Sequence, residues 1–270
     1  MMAGHYRSVF RGMGIEFEEV RDYTPGDDIK HIDWMVSARM GRPYVKRYRE
    51  ERERVVMLLL DVSASGCFGT TENLKKETAA EIAAVIAFNA IRNNDKVGAV
   101  LFTDQVEKYI PPKKGSAHVW RVIREFFAFE PERNGTDVGT TLAYLGRVCR
   151  KKTVSFLISD FLSPDFLHQL RIASKKHELI AIVLSDPGEF LLPPGGILTA
   201  RDLETGEDIL LDASDGKTRR GYETLMRKAY RERLALFKKA DVDAIEISTD
   251  GSAVDALTRY FRYREKRTRS

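Results

Sequence analysis

Five short runs of aliphatic side chains punctuate the chain: VVMLLL (55–60), KVGAVLF (96–102), TVSFLIS (153–159), ELIAIVLS (178–185) and VDAIEIS (242–248). They are mostly continuous rather than alternating, the pattern of strands covered on both faces. The segments between them carry helical spacing. Leu74, Ile82, Val85, Ile86 and Asn89 fall mostly on one face, as do Leu142, Leu145 and Cys149. Tyr222, Met226, Ala229, Tyr230 and Phe237 do likewise. SPDF predicts a helix with Ser163 at its cap and Pro164 at its first position, where a missing N–H costs nothing. SAVD gives Ser252 and Asp255 the offset of a capping box. Strands alternating with helices predict an α/β fold with a doubly wound, mostly parallel sheet. The ligand site of such a sheet lies beyond the carboxyl ends of its strands.

Two segments break the alternation. Residues 1–53 are mixed and charge-rich, with a turn at Pro25-Gly26 and extended segments around IEFEEV and RPYVKRY. They read as a small N-terminal β-rich extension to a domain spanning 54–270. Within that domain, GILTARDLETGEDILLD (196–212) reads as an inserted hairpin turning at Thr205-Gly206.

Composition narrows the class without naming a function. Of 270 residues, 43% are hydrophobic and 31% charged, a globular composition with a densely charged surface. The net charge of +4, from 44 basic and 40 acidic side chains, does not by itself argue for nucleic acid. The apolar runs fall far short of the about 20 residues that cross a bilayer. MMAGHYRSVFRG has no apolar signal-peptide core, and Cys67 and Cys149 form no disulfide framework. A cytoplasmic protein is expected.

The first strand ends abruptly in chemistry: VVMLLL runs into DVSAS, placing Asp61, Ser63 and Ser65 two residues apart. A loop leaving a strand tip can aim alternate side chains at one point. Two other strand-end loops offer oxygen as well. Thr136 lies in NGTDVG just before a helix capped by Asp137, and Asp160 of LISDF stands at the end of another apolar strand. Oxygen-only donors suit Mg²⁺ or Mn²⁺. On its own DxSxS is a weak signal, because Asp and Ser are ordinary turn and cap residues.

This set, DVSAS followed by the Thr of GTD and the Asp of SDF, resembles the metal-ion-dependent adhesion site of von Willebrand factor A domains. More narrowly, RGMGIEFEEVRDYTPGDDIKHIDWMVSARMGRPYVKRYREERE running into LLLDVSAS resembles the domain of unknown function 58 family. The resemblance covers nearly the whole chain. It implies a von Willebrand factor A-like fold and direct metal coordination by Ser63, Ser65 and Thr136, with Asp61 and Asp160 acting largely through water. One position stays open for a partner's carboxylate. Neutral hydroxyls leave the ion under-neutralised, so an incoming Asp or Glu gains a strong contact. The family is associated with MoxR-type AAA+ ATPases, so the resemblance implies such an ATPase or its client as partner, in assembly or maturation of protein complexes. Relatives usually carry a longer lead-in, which makes Met1 a late or truncated start.

The expected function is therefore a non-enzymatic, metal-dependent protein-interaction module. Two alternatives stand beside it: a Mg²⁺-dependent hydrolase using the same strand-end site, and a nucleic-acid binder using the basic tail RYFRYREKRTRS. Other motifs carry less. DGKT lacks the upstream glycine of a phosphate loop, and DLETGED lacks calcium-loop order. The five histidines show no HExxH spacing. In IDWMVSAR, Trp34 reads equally as a partner surface or as a packed residue beside an Asp33–Arg39 pair.

Overall fold

The computed structural model describes residues 16–49 and 54–269. The opening residues, on which the late start at Met1 and the missing signal peptide turn, lie outside the described residues. The chain forms two units, one spanning Phe10–Arg54 and the other holding Val55–Ser270.

In the smaller unit, β1 (Glu16–Asp22) pairs antiparallel with a later strand, and α1 (Trp34–Met40) precedes that strand, β2 (Tyr44–Arg49). The turn after β1 uses Gly26 at φ 110°, a region open to glycine. Arg21 clamps it by donating to both carboxylate oxygens of Asp27, at 2.9 and 2.6 Å. Asp33 caps α1 by accepting from the N–H groups of Met35 and Val36. Its ion-pair partner is Lys46 at 3.3 Å rather than Arg39. Trp34 is 68% exposed, so the packed alternative for this residue is not what the structure holds.

The larger unit runs β3 (Val55–Asp61), α2 (Lys75–Arg92), β4 (Lys96–Phe102), β5 (Val106–Lys113), α3 (Ser116–Phe127), α4 (Val138–Val148), β6 (Val154–Ser159), α5 (Leu167–Lys176) and β7 (Glu178–Ser185). It continues through β8 (Ile197–Arg201), β9 (Asp208–Asp212), α6 (Gly216–Lys239), β10 (Asp243–Ser248) and α7 (Ala253–Arg269). Six strands form one sheet in the order β10-β7-β6-β3-β4-β5. Every neighbouring pair is parallel except β4–β5. The five aliphatic runs are its five parallel strands; burial on both faces accounts for the unbroken hydrophobicity of β3, β4, β6 and β7, whereas β10, at the edge, buries only Ile245 and Ile247 and alternates. On one face α2 packs through Ala79, Ala83, Ile86 and Ala87, small side chains that let a helix approach closely. On the other, Met57, Leu59, Phe102 and Leu157 meet α4, α5 and the aromatic cluster Phe161, Phe166 and Phe237.

Two elements lie outside the sequence pattern. β5 is an edge strand carrying Pro111 and Pro112, tolerable there because an edge needs fewer N–H donors. α3 buries Val119, Val122 and Phe126 on a helical spacing. One helix start differs from expectation. α5 begins at Leu167, with Asp165 accepting from its N–H, while the Ser163 hydroxyl accepts from Val138 N–H at the start of α4. The side chain that looked like a local cap serves another helix. The basic tail is helical through Arg269, and its Arg264 pairs with Glu178 and Asp243. Among the described residues no helix is long and apolar enough to cross a membrane.

β8 and β9 form a separate antiparallel hairpin. Ile197, Ile209 and Leu210 on it are 73%, 56% and 71% exposed, and its facing pair Leu198 and Leu211 is only half-buried, so the hairpin buries no side chain fully.

Candidate metal centre

β3 and β6 are parallel neighbours, so Asp61 and Asp160 leave the sheet at the same edge. The stretch carrying Thr136 is tied to the same edge. Ala64 N–H, between the two serines, donates to the Asn134 carbonyl at 3.0 Å, and Asp137 N–H donates to the carbonyl of Thr103, just past β4. Asp137 then caps α4 by accepting from Thr140 N–H at 2.9 Å. The connection between α3 and α4, which carries Thr136, is thus tied by backbone to the loop after β3 and to the end of β4, independently of what the side chains do.

The side chains converge on that frame. Asp61 accepts from Ser63 N–H through Oδ1 at 2.9 Å and from the Ser159 hydroxyl through Oδ2 at 2.5 Å. The hydroxyl oxygens of Ser63 and Ser65 lie 3.0 Å apart, both buried. Asp160 accepts from Leu162 N–H through Oδ1, and its Oδ2 is 2.5 Å from Lys75 Nζ. Thr136, also buried, donates its hydroxyl proton to Glu204 Oε1 at 2.8 Å. A small cavity of about 10 Å³ between Asp61, Ser65, Lys75 and Asp160 has room for about one water.

Backbone strain fixes the Asp160 side of the site. Phe161 takes φ 59°, a conformation that costs a bulky residue on the order of 1 kcal/mol or more. It is held there by burial against Phe166 and Phe237 and by its N–H bond to the Ser159 hydroxyl at 2.8 Å. Ser159 consequently accepts from Phe161 and donates to Asp61, linking the two strand ends.

The electrostatics are uneven. Burial, and then the charge of Asp160, push the Asp61 carboxyl up to about 7. Burial works against an ionised Asp160 too, but the Lys75 ammonium and the hydrogen bonds from Leu162 N–H and Ser65 together hold this carboxyl below its ordinary value. Lys75 is buried beneath the loops and also donates to Glu189 Oε1 at 2.6 Å. Burial disfavours its charge, yet Asp160 and Glu189 keep it protonated. Glu204 is raised by burial, an effect that the Thr136 bond opposes and the charge of Asp160 reinforces. Asp61, Asp160 and Glu189 together carry two more negative charges, when ionised, than Lys75 returns.

That surplus and the donor set fit a divalent ion. The donors are hydroxyl and carboxylate oxygens, the chemistry Mg²⁺ takes. Adjacent ligands of an octahedral Mg²⁺ with bonds of about 2.0–2.1 Å stand about 2.8–3.0 Å apart. The Ser63–Ser65 separation of 3.0 Å lies in that range, so both oxygens can serve without moving. Among the described residues no group of three or more His, Cys, Asp or Glu side chains is arranged to hold a metal, so the hydroxyls are indispensable to this reading. The structure brings Asp61, Ser63, Ser65 and Asp160 into one hydrogen-bonded cluster and sets Thr136 on the adjoining loop.

Lys75, Ser159, Glu189 and Glu204 also belong to this neighbourhood, and sequence reasoning missed all four. Lys75 left a faint trace: it is the first residue of α2, where a cation is unfavourable without a partner.

The family model "Protein of unknown function DUF58" matches residues 19–232. The uncharacterized protein Rv1480 of Mycobacterium tuberculosis is 31% identical over 209 residues, 76% of this chain and 66% of that protein. The chain therefore spans just under two-thirds of that relative's length. YeaD of Bacillus subtilis, also uncharacterized, is 25% identical over 60% of this chain and 38% of its own length. Among solved structures, the conserved hypothetical protein BatB from Bacteroides thetaiotaomicron superposes with a TM-score of 0.51 at 15% identity, covering 79% of this chain and 99% of that one. The architecture is von Willebrand factor A-like: a central, mostly parallel sheet flanked by helices, with a small N-terminal β extension.

Proposed function

The chain belongs to the DUF58 family, and from that premise we propose that it is a protein-interaction module whose grip depends on a divalent cation. Ser63, Ser65 and Thr136 would hold Mg²⁺ or Mn²⁺ through their hydroxyls, with Asp61 and Asp160 behind them orienting waters. The cation supplies an under-neutralised positive charge at the rim of the sheet. The chain's own part is to position three neutral oxygens and keep two carboxylates close. An acidic side chain of a partner is the ligand such a centre favours. A MoxR-type AAA+ ATPase or its client is the partner we propose, with assembly or maturation of protein complexes as the setting and the cytoplasm as the compartment.

The observation that supports this most is the buried Ser63–Ser65 hydroxyl pair at 3.0 Å, flanked by Asp61 and Asp160 from neighbouring strand ends. What favours binding over turnover is that Lys75, the cation of this neighbourhood, is already held by Asp160 and Glu189. As for the basic tail, Arg264 is engaged by Glu178 and Asp243, which favours a structural role over nucleic-acid contact.

Thermal unfolding in EDTA and in Mg²⁺ or Mn²⁺ tests the centre. A ligand at one hundred times its Kd stabilises by about 2.7 kcal/mol, so a rise of several degrees is expected for the native chain and none for Asp61→Ala. Unfolding that ignores both ions would end the reading. Partner capture should likewise be lost in EDTA.

A further inference from the structure

Glu204 stands apart from its surroundings. Every residue from 199 to 210 is exposed except this one. The hairpin that carries it buries no side chain fully, and an isolated two-stranded hairpin is marginal in water. Its tip is nonetheless well defined. Asp202 accepts through Oδ1 from the N–H groups of Glu204 and Thr205, at 2.8 and 3.0 Å. Gly206 closes the turn at φ 76° with its N–H on the Asp202 carbonyl, and Arg201 forks onto Asp208 at 2.7 and 2.9 Å. That ordered turn delivers one carboxylate to the Thr136 hydroxyl at 2.8 Å. Its second oxygen lies over Gly135, where an added Cβ would come to 3.8 Å.

A carboxylate aimed at this spot is unexpected on charge grounds. Lys75 already answers Asp160 and Glu189, and among the described residues no cation stands at ion-pair distance from Asp61 or Glu204. Bringing another acid here raises the negative surplus unless a cation shares the space. The distance suits a shared cation as well, since 2.8 Å is also the separation of adjacent ligands around an octahedral Mg²⁺.

We infer that Glu204 is an in-chain ligand of the cation centre, filling the coordination position offered to a partner's Asp or Glu. The hairpin is then a tethered substitute ligand, and an incoming carboxylate binds by displacing it. This rests on the cation reading of the preceding subsection.

The test uses the full chain with Mn²⁺ as the probe, comparing native protein, Glu204→Gln, Glu204→Asp and Asp61→Ala. Free Mn²⁺ is followed by EPR and bound Mn²⁺ by water-proton relaxivity. Binding of a capped Gly-Glu-Gly peptide is read as the fall in relaxivity it causes. Glu204→Gln should bind Mn²⁺ about tenfold more weakly, since losing one oxygen ligand or its support costs on the order of 10–100-fold. Its relaxivity per bound ion should rise by the contribution of one added water, and the peptide should lower it again, whereas in the native chain one carboxylate replaces another and the peptide should leave relaxivity nearly unchanged. Glu204→Asp, which keeps the charge, should fall between. Native-like affinity, relaxivity and peptide response in Glu204→Gln would overturn the inference and leave the cation reading standing. So would weaker Mn²⁺ binding with unchanged relaxivity, because Glu204 would then act only from outside the coordination shell. Absence of Mn²⁺ binding by the native chain would remove both.

Discussion

The C-terminal edge of the sheet presents buried aspartates in two contrasting settings. Asp186, just past β7, accepts from Thr70 N–H and hydroxyl, from Gly188 N–H and from the Thr249 hydroxyl, at 3.0, 2.5, 2.8 and 2.6 Å. Its carboxylate is fully answered by neutral donors drawn from three loops. Burial pushes its pKa up, but those hydrogen bonds outweigh burial and hold it below the ordinary value. Asp61 and Asp160 occupy the same kind of address with fewer donors and mutual repulsion, and Lys75 pairs with Asp160 but not with Asp61. A strand-end aspartate is therefore not in itself a binding residue. What separates a loop tie from a candidate cation centre is whether the protein has already satisfied the carboxylate.

The largest effect expected from breaking this contrast is at Asp186. Asp186→Ala leaves two amides and two hydroxyls without that acceptor, the buried Thr249 hydroxyl and the half-buried Gly188 amide among them, at about 1–3 kcal/mol for each group that cannot reach water. A loss of at least about 3 kcal/mol in urea unfolding is expected, while the Mg²⁺-dependent rise in Tm persists. Loss of the metal response in a folded Asp186→Ala chain would blur the distinction.

Next in size is Lys75→Met. Removing the ammonium strands Asp160 and Glu189, both shielded from water, and breaking such a buried pair costs about 3 kcal/mol. Here, unlike at Asp186, the deficit should shrink when Mg²⁺ or Mn²⁺ is added, because a cation can replace the missing charge. A Tm shift no larger than that of the native chain would count against Lys75 and the cation sharing one field.

The smallest effect is in pH. The folded value of Asp186 lies below its unfolded one, so its contribution is fully present above about pH 4 and is lost as pH falls through the folded value. Stability measured in EDTA should decline on this acid limb in the native chain, and Asp186→Asn should show a shallower limb. Identical limbs would assign the acid sensitivity elsewhere.

Much of this was legible in the chain. Each aliphatic run became a parallel strand: in β3, β4, β6 and β7 because near-continuous hydrophobicity fits a strand covered on both faces, and in β10 because its alternation fits an edge strand. Asp61 and Asp160 stand at the strand ends where the pattern put them, whereas Thr136 lies not on a strand-end loop, as expected, but on the connection between α3 and α4, which returns to that edge. The caps at Asp137 and Ser252 were readable because their partners lie three residues on.

What sequence could not give were the contacts between distant loops. Lys75 meets Asp160 across 85 residues and Glu189 across 114, Thr70 meets Asp186 across 116, and Thr136 meets Glu204 across 68. Periodicity and capping report on neighbours a few bonds away, so the sequence by itself determined the layers, the strand tips and the hydroxyls they present. Strand order in the sheet decided which tips are neighbours and hence which charges share a small, dry volume. Only the folded chain could decide that one carboxylate is satisfied and another left wanting, because that depends on donors brought from loops far away along the backbone.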